Sequence, residues 1–117
     1  MKNTVVSDVV LGWPLQAEAE ALGGDWLVHI TGGCAPHIGS VSTAWKTDDG
    51  VAVQTVCVPG HRDDAVSERF ARALADHLDA VICVTCGIHY DGIDRSGIDA
   101  VLSAADGLLQ SLIAALE

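Results

Sequence analysis

Residues 15–22, LQAEAEAL, are good helix formers, yet they alternate strictly. Leu15, Ala17, Ala19 and Ala21 fall on one side, with Gln16, Glu18 and Glu20 on the other. A period of two puts each set on its own face of a strand, whereas a helix needs apolar residues three and four apart. A Gly23-Gly24 turn leads into DWLVHITGG, in which Trp26, Val28 and Ile30 alternate with Leu27, His29 and Thr31. Two alternating runs joined by Gly-Gly predict a hairpin. A helix over 15–22 is the competing reading.

A second strand pair follows. HIGSVSTAW (37–45) and VAVQTVCV (51–58) flank the polar turn KTDDG. The period then changes to 3.6: Val66, Phe70, Ala73, Leu74, His77 and Leu78 form one stripe of a helix. AVICVTCG (80–87) is the short apolar run of a buried strand. The chain closes as a helix, capped by Asp94 or Ser96, with Ile98, Val101, Leu102, Ala105, Leu108, Leu109 and Leu112 as its inner face. Gly107 within it costs about 1 kcal/mol relative to Ala. Residues 1–13 are left as an extension, either another strand or a partner contact. The order β-β-β-β-α-β-α predicts one α/β (α+β) domain over residues 1–117. Its architecture is a two-layer sandwich, with a mixed, mostly antiparallel sheet of about five strands and both helices on one face.

Sixteen acidic against six basic residues give a formal charge of −10, which argues against nucleic acid and anionic membrane as partners. No signal-peptide pattern or unbroken membrane-length apolar run is present, so a cytoplasmic location is expected. Of the four cysteines, Cys83 and Cys86 form a CxxC within a strand. Strand residues three apart point to opposite faces, so the pair is expected to be core thiols and not a metal grip. His29 and His77 read as structural, and the three tryptophans as core or dimer surface.

Three histidines stand in glycine-flanked loops, in GGCAPHIG, PGHRDD and GIHYDG. If the hairpins form and the helical crossover from 51–58 to 80–87 is right-handed, the strands before His37, His61 and His89 all end at one edge of the sheet. Open α/β sheets bind ligands at such edges. Gly33 lets a ligand approach the backbone and Pro36 stiffens the lead into His37. His61 and Arg62 open a helix, whose N-terminus favours an anion. Asp63 and Asp64 suit that terminus as local stabilisers. Tyr90 offers a flat ring for stacking, and Asp91 can orient an imidazole. Two chemistries stay open: His37, His61 and His89 as metal ligands, or as hydrogen-bonding partners of a polar ligand whose phosphate meets Arg62. Cys34 is the one candidate thiol of these loops, and no nucleophile motif accompanies it.

GGCAPHIGSVS, VPGHRDD and GIHYDGI together resemble the LpdD-like prenylated-flavin chaperone family over about residues 15–116. The resemblance implies a non-catalytic accessory protein of UbiD-type aromatic acid decarboxylases, binding prenylated FMN, with FMN itself as a further ligand. It carries over Pro36, His37, Ile38, Gly39, Gly60, His61, Arg62, Gly87, Ile88 and His89 as binding positions. Arg62 stands where lysine is expected in relatives, and Cys34 where a polar residue is. The alternatives are a small metal-dependent or histidine-based enzyme on the same loops, and a decarboxylase subunit that binds protein alone. A homodimer is expected from the open sheet edge.

Overall fold

The computed structural model describes residues 3–60 and 63–117. Its elements are β1 (Thr4–Val10), β2 (Trp13–Leu22), β3 (Asp25–Gly33), β4 (Ser40–Thr47), β5 (Gly50–Cys57), α1 (Asp64–Leu78), β6 (Ile82–His89) and α2 (Arg95–Leu116). All six strands form one sheet in the order β1-β2-β3-β6-β4-β5. The α+β sandwich is as expected, with one strand more: within the segment left open at 1–13, β1 pairs antiparallel with β2 from Thr4↔Ala19 to Val10↔Trp13. The period-two reading of 15–22 holds over all of β2. Leu15, Ala17 and Ala19 are fully buried while Gln16, Glu18 and Glu20 are half-buried on the opposite face.

The strand neighbours differ from the expected meander. β6 inserts between β3 and β4, parallel to β3 and antiparallel to β4. Both β5 and β6 run antiparallel to β4, so they share a direction without touching. The crossover through α1 thus skips one strand. It does so because the apolar strand β6 (Ile82, Val84 and Cys86 fully buried) gains more at the sheet centre than at an edge. The loop from β3 to β4, residues 34–39, must therefore pass over the carboxyl end of β6.

Both helices cover the same face. α1 packs on β4, β5 and β6, and α2 on β1 and β2. The core comprises Leu15, Val28, Ile30, Ile82 and Val84 from the sheet, Phe70 and Leu74 from α1, and Leu109 and Leu112 from α2. By length and mean hydropathy (1.4) α2 would pass for a membrane-crossing helix. Here its inner residues Val101, Ala105, Leu108, Leu109, Leu112 and Ile113 close the core. Asp94 is its N-cap, accepting a 2.8 Å hydrogen bond from the Gly97 N–H.

Each helical stripe is rotated from the pattern read in sequence. On α1 the buried set is Ser67, Phe70, Ala71, Leu74 and Ala75, while His77 is half-exposed beside Glu117. Ser67 is fully buried because β4 presents serines to it. Ser40 donates to the Ser67 hydroxyl at 2.8 Å, Ser42 shares a 2.8 Å bond with it, and Thr55 continues the chain to Ser42. Ser67 donates onward to the Asp64 carbonyl. On α2, Ile98 and Leu102 are 42 and 46 % exposed and not part of the inner face.

Two stability outcomes follow from these placements. Ser67→Ala leaves the buried Ser40 hydroxyl without its acceptor and Ser42 with Thr55 alone, and lowers unfolding stability by about 1–3 kcal/mol. An added Cβ at Gly107 meets nothing within 4 Å, so Gly107→Ala raises stability by about 0.5–1 kcal/mol. Urea unfolding midpoints at unchanged slope check both.

Candidate functional site

The carboxyl ends of β3, β5 and β6 lie on one sheet edge, as the topology argument required. The loop 34–39 lies across the end of β6, and glycine makes that crossing possible. A Cβ on Gly87 would collide with the backbone carbonyl of His37, and one on Gly39 with the Asp63 carboxylate. The Gly39 N–H then donates to the Cys86 carbonyl at 2.9 Å, joining the loop to the β4·β6 ladder.

That ladder ends at Ser40↔Cys86, which leaves the Ile88 N–H beyond it without a strand partner. Asp63 supplies one: its Oδ1 accepts from Ile88 N at 3.1 Å, while Oδ2 lies 3.2 Å from His37 Nε2. His37 Nδ1 faces the Ala35 carbonyl at 2.9 Å. Asp63 is buried and sits at the N-cap of α1, yet its side chain makes no cap hydrogen bond. Read in sequence as a local helix stabiliser, it is instead the residue that holds the His37 loop, the end of β6 and the start of α1 together. A PGHRDD run alone does not reveal this, because both of its partners are distant in sequence.

Beside this junction is a cleft of about 460 Å³ between the N-terminal halves of the two helices. His37, Gly60, Asp63, Ile88 and His89 form its polar and sheet-end side. Val66, Ile93, Ile98, Val101 and Leu102 form its apolar wall, which explains why Ile98 and Leu102 face away from the core. Its size is that of a small-molecule site. The structure thus brings His37, Gly60, Ile88, His89 and Tyr90 to one cleft. Ile38 is exposed at 61 % and Pro36 lies on the outer loop. His61 and Arg62 lie outside the described residues.

Tyr90 departs from its expected role. It is 7 % exposed, so its ring face is not open for stacking. Burial, then Asp8 and Cys34, raise its hydroxyl above the usual phenol range, and that oxygen has no hydrogen-bond partner among the described residues. Tyr90 and Ile93 form part of both this cleft and a second groove, of about 440 Å³, which also includes Leu11, Trp13, Cys34 and Asp91. There His89 Nε2 and Asp91 Oδ1 are 2.7 Å apart, and Cys34 Sγ approaches the His89 carbonyl at 3.6 Å. Hydrogen bonds from His89 and then Cys34 hold the Asp91 carboxyl below the usual carboxylate range. Among the described residues, His37 does not join His89 in a metal-ligand cluster; Cys34 and Asp91 do. The CxxC pair is split by the sheet as expected, with Cys83 half-buried on the uncovered face and Cys86 fully buried beneath the helices. Burial, then Asp63, pushes the Cys86 thiol far up.

The Asp63 junction is directly testable. Asp63→Ala strands a shielded Ile88 N–H and lowers stability by about 1.5–3 kcal/mol. Asp63→Asn, which keeps an acceptor oxygen for that N–H, loses less. Denaturant unfolding ranks the two variants, and amide exchange at Ile88 accelerates in the alanine variant.

Comparison with known proteins gives the chain its family and a likeness of fold. The chain is 32% identical over 111 residues to Protein LpdD of Lactiplantibacillus plantarum, covering 91% of this chain and 79% of that one. Its fold matches a solved structure described as a novel chaperone complex for yeast 20S proteasome assembly. The TM-score is 0.58 at 14% identity, covering both chains fully, a likeness of fold alone. A sequence profile of the prenylated flavin chaperone LpdD-like domain matches residues 11–117, so the chain belongs to that chaperone family.

Proposed function

We propose that this protein holds prenylated FMN at the cleft between α1, α2 and the end of β6, and delivers it to, or assists its maturation in, a UbiD-type aromatic acid decarboxylase. The exposed apolar wall of the cleft carries this reading. Ile98 and Leu102 stand 42 and 46 % exposed at the same cavity as His37 and His89, where an apolar ring system would remove them from water.

Charge orients the ligand. Asp63 is a buried carboxylate on the cleft wall, which disfavours a phosphate beside it and favours the uncharged ring system. The phosphate is assigned to His61 and Arg62, the basic pair that follows Gly60 in sequence. The His89 ring offers a hydrogen bond to the polar edge of the ligand, while His37, held through both ring nitrogens by the Ala35 carbonyl and Asp63, shapes the wall beside it. No nucleophile is asked of the chain in this role: it binds, shields and releases. The sheet face not covered by helices carries half-buried Leu27, Val41 and Trp45, and it is the surface available to the decarboxylase or to a second copy.

Anaerobic titration of the full chain with prenylated FMN and with FMN, followed by absorbance and fluorescence, tests the proposal. Saturable binding of the prenylated cofactor is expected. Ile98→Glu and Leu102→Glu each weaken it by at least about tenfold without moving the unfolding midpoint, since both side chains are exposed. His61→Ala and Arg62→Ala weaken it through the phosphate. An absence of binding, or unchanged affinity in both glutamate variants, overturns the assignment.

A further inference from the structure

We propose that Cys34, His89 and Asp91 form a site for one zinc-type divalent cation, with its fourth coordination position open to the groove of Leu11, Trp13 and Tyr90. The Cys34 thiol sulfur, a His89 ring nitrogen and an Asp91 carboxylate oxygen all lie within 4.8 Å of one another. The sheet fixes the backbones of Cys34 and His89. Gly33 and His89 are the last paired residues of the parallel β3·β6 ladder, and the next N–H, that of Cys34, donates to the His89 carbonyl at 2.9 Å. Asp91 follows two residues on, in the turn after β6, so the three donors gather at one ladder end.

The donor set selects the ion. A thiolate, an imidazole and a carboxylate suit a borderline-soft cation, whereas calcium and magnesium require oxygen ligands. Tetrahedral zinc holds such donors roughly 3.5 Å apart, so about an ångström of side-chain adjustment closes the site. The ion replaces the present His89–Asp91 hydrogen bond. As the Cys34 sulfur bonds to the metal, its proton passes to solvent.

The groove supplies a second, independent observation. Tyr90 lines it, is more than nine-tenths buried, and keeps a hydroxyl with no partner among the described residues. A buried polar group of this kind is costly unless it is satisfied. A water or a small anionic ligand on the open position of the metal can accept its proton in a hydrogen bond. Three protein ligands with one open position is the arrangement of a zinc site that binds a ligand, as opposed to a closed structural one. This site does not depend on flavin binding, and it differs from the His37, His61 and His89 set that the sequence left open as one of two chemistries.

The full chain, kept reduced, is titrated with Co²⁺ alone as a spectroscopic stand-in and then back-titrated with Zn²⁺. One equivalent of cobalt is expected to bind with a thiolate-to-cobalt charge-transfer band and tetrahedral d–d absorption, both erased by zinc. Cys34→Ser abolishes the charge-transfer band, and Asp91→Asn, at a fully exposed position, weakens uptake by more than about tenfold. Cys57→Ser and Cys83→Ser leave the band intact. A band that survives Cys34→Ser or vanishes with Cys57→Ser overturns the site, as does an absence of saturable uptake by the wild type.

Discussion

The Asp63 carboxylate is the contact on which the edge of this molecule depends. Inserting β6 at the centre of the sheet creates a difficulty at its carboxyl end. β4 begins too late to pair with Ile88, and the β3–β4 connection has to cross the same point. One buried side chain resolves both, taking the Ile88 N–H on one oxygen and meeting His37 with the other. The cost of burying a charge is offset only if its lone pairs are used, and here both oxygens are. Because Asp63 is also the N-cap residue of α1, the helix, the loop and the strand end are fixed relative to one another, and the cleft wall with them.

Glycine is the steric half of the same constraint. Gly87 admits the His37 backbone over β6, and Gly39 admits the Asp63 carboxylate. In sequence, Gly39 and Gly87 stand among the binding positions that the family resemblance carries over. In the fold these two glycines are filled by the protein itself, as close-packing positions that place the histidines. Gly39 and Gly87 thus shape the site without lining it.

Local pattern was sufficient to place the strands and their buried faces. The alternation of 15–22 located β2 despite its helical composition, and the order of turns and crossover brought three strand ends to one edge. What the pattern did not contain was the identity of non-adjacent neighbours. The place of β6 between β3 and β4 is set by burial of Ile82, Val84 and Cys86, a competition among whole strands that no local window reports. Ser67 misleads for a similar reason. A serine counts as polar in a helical stripe, yet Ser40 and Ser42 across the interface satisfy it, and the buried face turns toward it. Ile98 and Leu102 mislead in the opposite sense, being apolar residues whose partner is a cavity.

The two cavities at this edge meet at Tyr90 and Ile93, and their walls differ in chemistry. One side of Tyr90 faces an apolar wall suited to a ring system, and the other carries sulfur, imidazole and carboxylate donors suited to a cation. His89 belongs to both, lining the cleft while its Nε2 is directed at Asp91. A ligand in the cleft that turns the His89 ring toward itself therefore competes with Asp91, and with any cation, for the orientation of that ring. In a chain of charge −10, a cation bound at Asp91 also lowers the electrostatic cost of bringing an anionic cofactor to the neighbouring cleft. The sign of coupling between the two sites is set by which effect is larger. Shared use of His89 opposes joint occupancy, whereas charge compensation favours it. At a separation of a few ångströms, in a partly shielded setting, loss of a direct ligand bond outweighs one screened unit charge, so the two occupants are expected to exclude one another.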